Sequence, residues 1–273
     1  MAAPGGAFKA CGVITLTSDF GLQDPFVGVM KGQILGRFAD ARIIDLTHEV
    51  LAHWPVEAGF WLARAYRYFP SGTVHVAVVD PGVGGPRGIA IVEGDGHIFL
   101  APDNGLLGSV VETLAVPVLR QLSDGFIASL GVTRPSATFH GRDIFAPVAA
   151  ALSKRVRPED LGALITDEVR LKNSLNPEVL KNGDIKGRII HIDRFGNCVT
   201  NLTRDLIDPR NPPTLLIKGE TIRTFQDFYS SALPNTLFAI WGSAGFLEIS
   251  INRTSAAKIL RAKRGDTVIV RQD

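Results

Sequence analysis

Cysteine is scarce in this chain: Cys11 and Cys198 are the only two in 273 residues, far apart and in no metal-ligand spacing. That excludes a disulfide-stapled scaffold and fits a reducing, cytoplasmic compartment. No run approaches the roughly 18 consecutive apolar residues that a membrane span needs, so no membrane association is expected. An excess of one charge is also lacking. The formal net charge is +2, and no basic tract is interleaved with aromatics, which argues against a nucleic-acid partner. The opening "MAAPGGAFKACGVITL" has no charged leader ahead of a long apolar core, and reads as a tail entering a first strand rather than a signal peptide. What is present is 45% hydrophobic and 21% charged residues, enough for a core and too apolar for disorder. The length suits one large domain or two modest ones.

The first half alternates between β-rich and amphipathic segments. "GVITLTS", "RIIDLTH" and "TVHVAVVD" predict strands. Between them, "DPFVGVMKGQILGRF" predicts a helix N-capped by Asp24, and "PVEAGFWLARAYRYF" a second helix opened by proline. This pattern predicts an α/β domain with a mainly parallel sheet and helices on both faces. "GIAIVE", "GDG" and "HIFLA" predict a hairpin, because Asp-Gly supplies the turn residues. "NGLLGSVVETL" and "RDIFAPVAAALSK" look helical. An irregular stretch at about 156–183 marks a boundary between domains 1–178 and 184–273. Beyond it "KGRIIHIDR", "NCVTNL", "TLLIKG", "TLFAIWG", "GFLEISIN" and "DTVIVR" are strand-like, with "SAAKILRA" helical, so the second domain is expected to be all-β and barrel-like.

The segment "VVDPGVGGPRG" asks whether a glycine loop after a strand holds a phosphate. A dinucleotide fingerprint needs a third glycine and a following helix, but Arg87 stands at the third position and a strand follows. No Gly-Lys-Ser or Gly-Lys-Thr of a P-loop is present. What remains is Asp80 at a strand's carboxyl end, with glycines that let Arg87 return beside it. Read alone, that pair is an ordinary ion pair or a ligand site. Other polar clusters fall at the same predicted sheet edge: Asp19 in "TSDFG", Asp24 just beyond, Asp45 and His48 in "DLTHEV", His140 in "FHGRDIF" ahead of a helix that Asp143 can start, and "APDNGLL".

Of six histidines, His75, His97 and His191 fall in strands and His53 leads into a helix beside Trp54. Asp19, Asp45, His48 and His140 could be drawn as a metal set, but no H-x-x-x-H or similar spacing supports it, so no metal is expected.

Taken together, "TLTSDFGLQDPFVGVMKG", "DLTHEV", "VVDPGVGG", "LAPDNGLL", "FHGRDIFAP" and "HIDRFGNCVTNL" resemble the S-adenosylmethionine hydroxide adenosyltransferases, water-using relatives of the fluorinases and chlorinases. The similarity runs in order from about Val13 to about Val270. It implies hydrolysis of S-adenosylmethionine to adenosine and methionine at the ribose 5′ carbon. It also implies a homotrimer whose pockets lie between one subunit's first domain and its neighbour's second, and no cofactor beyond the substrate itself. Asp80, Arg87 and His140 fall on the triad of the water-using branch, and the short "EGDGH" turn replaces a fluorinase insertion.

The same resemblance assigns Asp19 to the ribose hydroxyls, Trp54 to a wall near the ribose, and Asp24, Asp193 and Ser243 to the methionine amine. Phe195 and Asn197 would form the adenine platform, completed by backbone around Asn252 and Arg253. The sequence departs from the fluorinase pattern at Ala244, where an arginine faces the methionine carboxylate. Other readings are a non-catalytic S-adenosylmethionine or adenosine binder and a halogenase; a methyltransferase would need a glycine-rich first loop that "TSDFGLQD" does not supply.

Overall fold

The β-branched runs of the first half assemble into one sheet. A computed structural model describes residues 8–165, 175–207 and 213–271. Its chain divides into two compact units, Met1–Asn173 and Ser174–Asp273. Part of the irregular stretch at 156–183, namely 166–174, lies outside the described residues.

The first unit carries β1 (Val13–Ser18), α1 (Phe26–Arg37), β2 (Arg42–Thr47), α2 (Pro55–Ala65), β3 (Val74–Val78), β4 (Ile89–Gly94), β5 (His97–Pro102), α3 (Gly108–Val111), β6 (Val118–Gln121), α4 (Asp124–Ser129) and α5 (Ala146–Ser153). The strand order is β2-β1-β3-β5-β4-β6. Strands β2, β1, β3 and β5 pair in parallel, while β4 runs antiparallel to both neighbours. Successive strand residues face opposite sides. Val76 and Val78 therefore pack with Met30, Ile34 and Val148 on one face, and Ala77 and Val79 with Leu62, Tyr66 and Leu107 on the other. The hairpin turns at Asp95 and Gly96, which take φ of 49° and 78°.

Three local expectations fail. Helix α1 begins at Phe26 with Pro25 at its N-cap and no side-chain cap. Asp24 thus sits one residue too early to reach the free amides of the first turn. "NGLLGSVVETL" yields only the single turn α3, since Asn104, Gly105 and Gly108 favour a turn over a helix. Asp143 does not start a helix: it lies inside a π-helical turn, Gly141–Phe145, that begins after His140 and runs into α5.

The second unit is mostly strand: β7 (Glu178–Val179), β8 (Ile185–Ile192), β9 (Cys198–Thr203), β10 (Thr214–Ile217), β11 (Glu220–Ile222), β12 (Phe225–Gln226), β13 (Leu237–Trp241), β14 (Phe246–Ile251) and β15 (Thr267–Arg271), with one short helix, α6 (Ala256–Leu260). The order β11-β10-β15-β8-β9-β14-β13-β12 makes a curled sheet, and β11 approaches β13 again. Alternate residues of its strands, Ile185, Ile189, Leu215, Leu247, Ile249, Val268 and Val270 among them, fill one core. Ser255 caps α6 by accepting the Lys258 N–H at 3.2 Å.

Candidate active site

The glycine loop after β3 brings Asp80 and Arg87 together. Arg87 Nε donates to Asp80 Oδ1 at 3.0 Å and Oδ2 at 2.9 Å, and Arg87 Nη2 also bonds Oδ2. The same Nη2 reaches His140 Nδ1 at 2.8 Å. A guanidinium can only donate, so Nδ1 accepts and the neutral imidazole carries its proton on Nε2. Burial, and then the Arg87 charge, hold the His140 imidazole below its ordinary value, with Asp80 and Asp143 pulling weakly the other way. The Asp80 side chain is 5% exposed and that of Arg87 12%, so this ion pair is largely removed from water.

The loop is held at three places. Gly84 has φ +77°, and a Cβ there would lie 2.1 Å from the Ala137 carbonyl, so only glycine fits. The "PDNG" turn then clamps both ends of the loop. Asn104 Nδ2 donates to the Val79 carbonyl at 2.9 Å, just ahead of Asp80, and Asp103 N–H donates to the Gly88 carbonyl at 3.0 Å, just after Arg87. That role was not evident from the sequence.

Asp80 and His140 share a pocket of about 280 Å³ with Asp19, Phe20, Phe26, Ala52, His53, Val83 and Phe139. Phe20, Phe26 and Phe139 meet edge-to-face at 5.3–5.9 Å and form its apolar wall. Asp19 Oδ2 accepts the His53 N–H at 3.0 Å. Asp24 is exposed and Trp54 half-buried, and neither lines this pocket. His53, expected only to lead into the helix beside Trp54, lines the pocket instead. Arg87 and His140 also border a second cavity of about 630 Å³, lined in addition by Gln121 and Asp124. Asp45 and His48 do not join Asp19 and His140 in a metal set. Asp45 pairs with Lys31 and lies 3.1 Å from His48 Nε2, and His48 bonds Ser18 through its other ring nitrogen.

In the second unit, Asp193, Phe195, Asn197, Asn252 and Arg253 line one pocket of about 560 Å³. Asp193 Oδ1 accepts the amides of Phe195 at 2.9 Å and Asn197 at 2.8 Å, while Oδ2 accepts Asn197 Nδ2 at 2.8 Å. That local turn pushes Phe195 outward, where it is 79% exposed. Tyr229 also lines the pocket and was missed. Its hydroxyl donates to Glu248 Oε2 at 2.7 Å, and burial, then that carboxylate, push the phenol well above its ordinary value, so it stays protonated. The sequence offered no signal for it, because "DFYSSALP" lies in a loop. Ser243 is in the exposed turn between β13 and β14 and does not line this pocket.

The comparisons with known proteins agree with the motif order. The SAM hydroxide adenosyltransferase N-terminal domain matches residues 14–162, and its C-terminal domain matches residues 187–269. The (R)-S-adenosyl-L-methionine hydrolase of Methanocaldococcus jannaschii is 33% identical over 272 residues, 94% of each chain. That of Salinispora arenicola is 36% identical over 94% of this chain and 97% of its own. The fluorinase of Nocardia brasiliensis is more distant, at 26% identity over 95% and 96%. A crystal structure of an uncharacterized conserved protein from Thermotoga maritima matches with a TM-score of 0.82 at 33% identity, covering 95% of this chain and 100% of that one. With both domain descriptions matched in order and hydrolase relatives similar over nearly the whole length, the chain belongs to the SAM hydroxide adenosyltransferase family.

Proposed function

We propose that this protein hydrolyses S-adenosyl-L-methionine to adenosine and L-methionine, using a water held by Asp80, Arg87 and His140. The shared name of the curated relatives supports the substrate. Its (R) prefix stands beside an amino acid already specified as L, which points to the sulfonium epimer of R configuration. The water oxygen bonds to the ribose 5′ carbon, the carbon–sulfur bond breaks with its electron pair passing to sulfur, and one proton is released. Sulfur leaves as a neutral thioether, so no acid is needed to protonate it. The demand is for one oriented nucleophile.

The observation that carries this reading is the Asp80–Arg87–His140 line on the wall of the pocket that also holds Asp19. Arg87 fixes both acceptors, leaving the His140 Nε2–H and the Asp80 carboxylate to orient a water between them. Such a water donates to Asp80, accepts from His140, and keeps a lone pair for carbon. As the bond forms the water becomes acidic, so a weak base suffices late in the step. The second cavity beside Arg87 and His140 gives the proton a route to solvent.

On the binding side, Asp19 accepts the ribose hydroxyls. Phe195 stacks on adenine, while Asn197 and the backbone at Asn252 and Arg253 complete that site. At about 280 Å³ the pocket of the first unit is small for so large a ligand. The homotrimer that the resemblance implies would let a neighbouring copy supply the adenine side. Asp193 is committed to its own turn, so it positions Phe195 and Asn197 before it holds any amine. Asp24, Ser243 and Trp54 would meet substrate only in that assembly.

The test is incubation of purified protein with each sulfonium epimer, with and without fluoride or chloride, followed by chromatography. Adenosine and methionine in every buffer are expected, with the R epimer preferred. A 5′-halo product would overturn water as nucleophile, and tight binding without turnover would overturn the enzyme reading.

A further inference from the structure

Behind the Asp19 loop, a set of polar groups that does not line the pocket is joined in one line. Lys31 Nζ donates to Asp45 Oδ2 at 2.6 Å, and Asp45 Oδ1 lies 3.1 Å from His48 Nε2. On the other edge of the ring, His48 Nδ1 lies 2.7 Å from Ser18 Oγ, and the Phe20 N–H donates to that same oxygen at 3.3 Å. The proton positions follow from the ends inward. The Asp45 carboxylate can only accept, so an imidazole carrying one ring proton turns its Nε2–H toward it. The ring then accepts the Ser18 hydroxyl proton at Nδ1, while the Ser18 oxygen accepts the Phe20 amide. No donor meets a donor anywhere along the line. The Nε2 contact is off the axis of a good hydrogen bond, so it acts as an oriented charge contact. Burial would raise the Asp45 carboxyl, but the Lys31 and His48 contacts outweigh it and hold it below its ordinary value.

The order Ser–His–Asp invites a hydrolytic triad, but Ser18 is 2% and His48 4% exposed, so the hydroxyl has no access to a substrate. Their position gives another role. Ser18 and Phe20 flank Asp19, and His48 holds the same loop again through its carbonyl, which accepts the Gly21 N–H at 2.8 Å. The chain beyond His48 then delivers His53, at φ 64°, whose amide bonds Asp19 Oδ2. One buried imidazole therefore ties together the two segments that hold the Asp19 carboxylate.

We propose that Ser18, His48 and Asp45 form a positioning relay that fixes Asp19 for the ribose hydroxyls. This rests on the reading of Asp19 as the ribose ligand. The test measures adenosine and 2′,3′-dideoxyadenosine binding by calorimetry, with steady-state kinetics and melting temperature, for the wild type, Ser18→Ala, Ser18→Thr and Asp45→Asn. Ser18→Ala should weaken adenosine about tenfold, the scale of one lost buried hydrogen bond, and leave the dideoxy ligand unchanged. Its KM should rise more than its kcat falls. Ser18→Thr, which keeps the hydroxyl, should retain the preference. Asp45→Asn, changed at the more exposed end, should show a smaller loss of the same kind, and it reads the relay even if Ser18→Ala fails to fold. Equal weakening of both ligands, or a lower melting temperature with binding unchanged, would reduce the relay to a structural role and overturn the proposal. A wild type that binds both ligands equally would show instead that the ribose reading of Asp19 is at fault, and the proposal would fall with it.

Discussion

Asp80 in the first unit and Asp193 in the second both follow a strand and both have two engaged carboxylate oxygens, yet they are held by different means. Asp193 is satisfied by amides two and four residues further on and by the Asn197 side chain, so its turn is a property of a short segment. Asp80 is satisfied by Arg87 across a loop, and Arg87 in turn by His140, 53 residues away. On the proposed reading, the difference follows from what each region would do. A platform for a flat base needs one ring presented outward, which a local turn can supply. An oriented water needs groups that converge from several directions, which only the end of a sheet can supply.

The sharpest way to break this comparison is at Asp80. Asp80→Ala should lower kcat by about 10²- to 10⁴-fold, the usual range for a group that positions or moves a proton, measured as adenosine formed. It also leaves Arg87 a buried cation without its partner, so the melting temperature should fall. Asp80→Asn keeps one acceptor oxygen and separates the two functions: a much smaller loss than alanine shows that orientation matters more than base strength, and equal losses show the reverse. Arg87→Lys comes next. A lysine cannot reproduce the Nε and Nη2 bonds that span Asp80 and His140. Hydrogen bonds to charged groups are each worth about 1.5–3 kcal/mol, so kcat/KM should fall about tenfold to hundredfold.

In the second unit the expected loss is in binding. Phe195→Ala should weaken adenosine by about 1–3 kcal/mol, the range for a base stacked on an aromatic ring, with KM affected more than kcat. Because the Asp193 turn is made by backbone amides and Asn197, the melting temperature should hardly change. A loss confined to kcat would show that Phe195 is not the platform.

How much of this was legible in the sequence depended on whether the deciding contact was local. The strand runs, the Asp-Gly hairpin and the proline-led helix α2 follow from periodicity and turn chemistry, and all three are in the structure. The approach of Arg87 to Asp80 could be read from the glycines between them. Tyr229 and His53 could not, since one is a loop residue placed by Glu248 and the other bonds Asp19 through its backbone amide. The clamp by Asn104 and Asp103 was hidden for the same reason: it joins the loop to another strand's end. Asp24 illustrates the opposite error. Its motif fits a cap, but the helix starts one residue later than the motif implies, and a carboxylate out of reach of the first turn caps nothing.

The smallest effect expected is also the one that tests the Arg87–His140 contact alone. In the folded protein His140 accepts a hydrogen bond from a cation at Nδ1, and burial together with that cation holds its imidazole below the ordinary 6.5. A histidine depressed in this way contributes stability that is complete above its unfolded value and is lost as pH falls through its folded value. Between those two values the unfolded chain binds the extra proton and the folded chain does not. Activity should therefore be flat around neutrality, and the acid limb of kcat/KM that belongs to His140 should lie below 6.5. His140→Asn should remove that limb while leaving the loop intact, because Asp80 retains both of its bonds to Arg87 Nε. If the wild-type limb lies at or above the ordinary histidine value, the Arg87 guanidinium does not face Nδ1 in solution, and the water must be oriented by Asp80 without the imidazole.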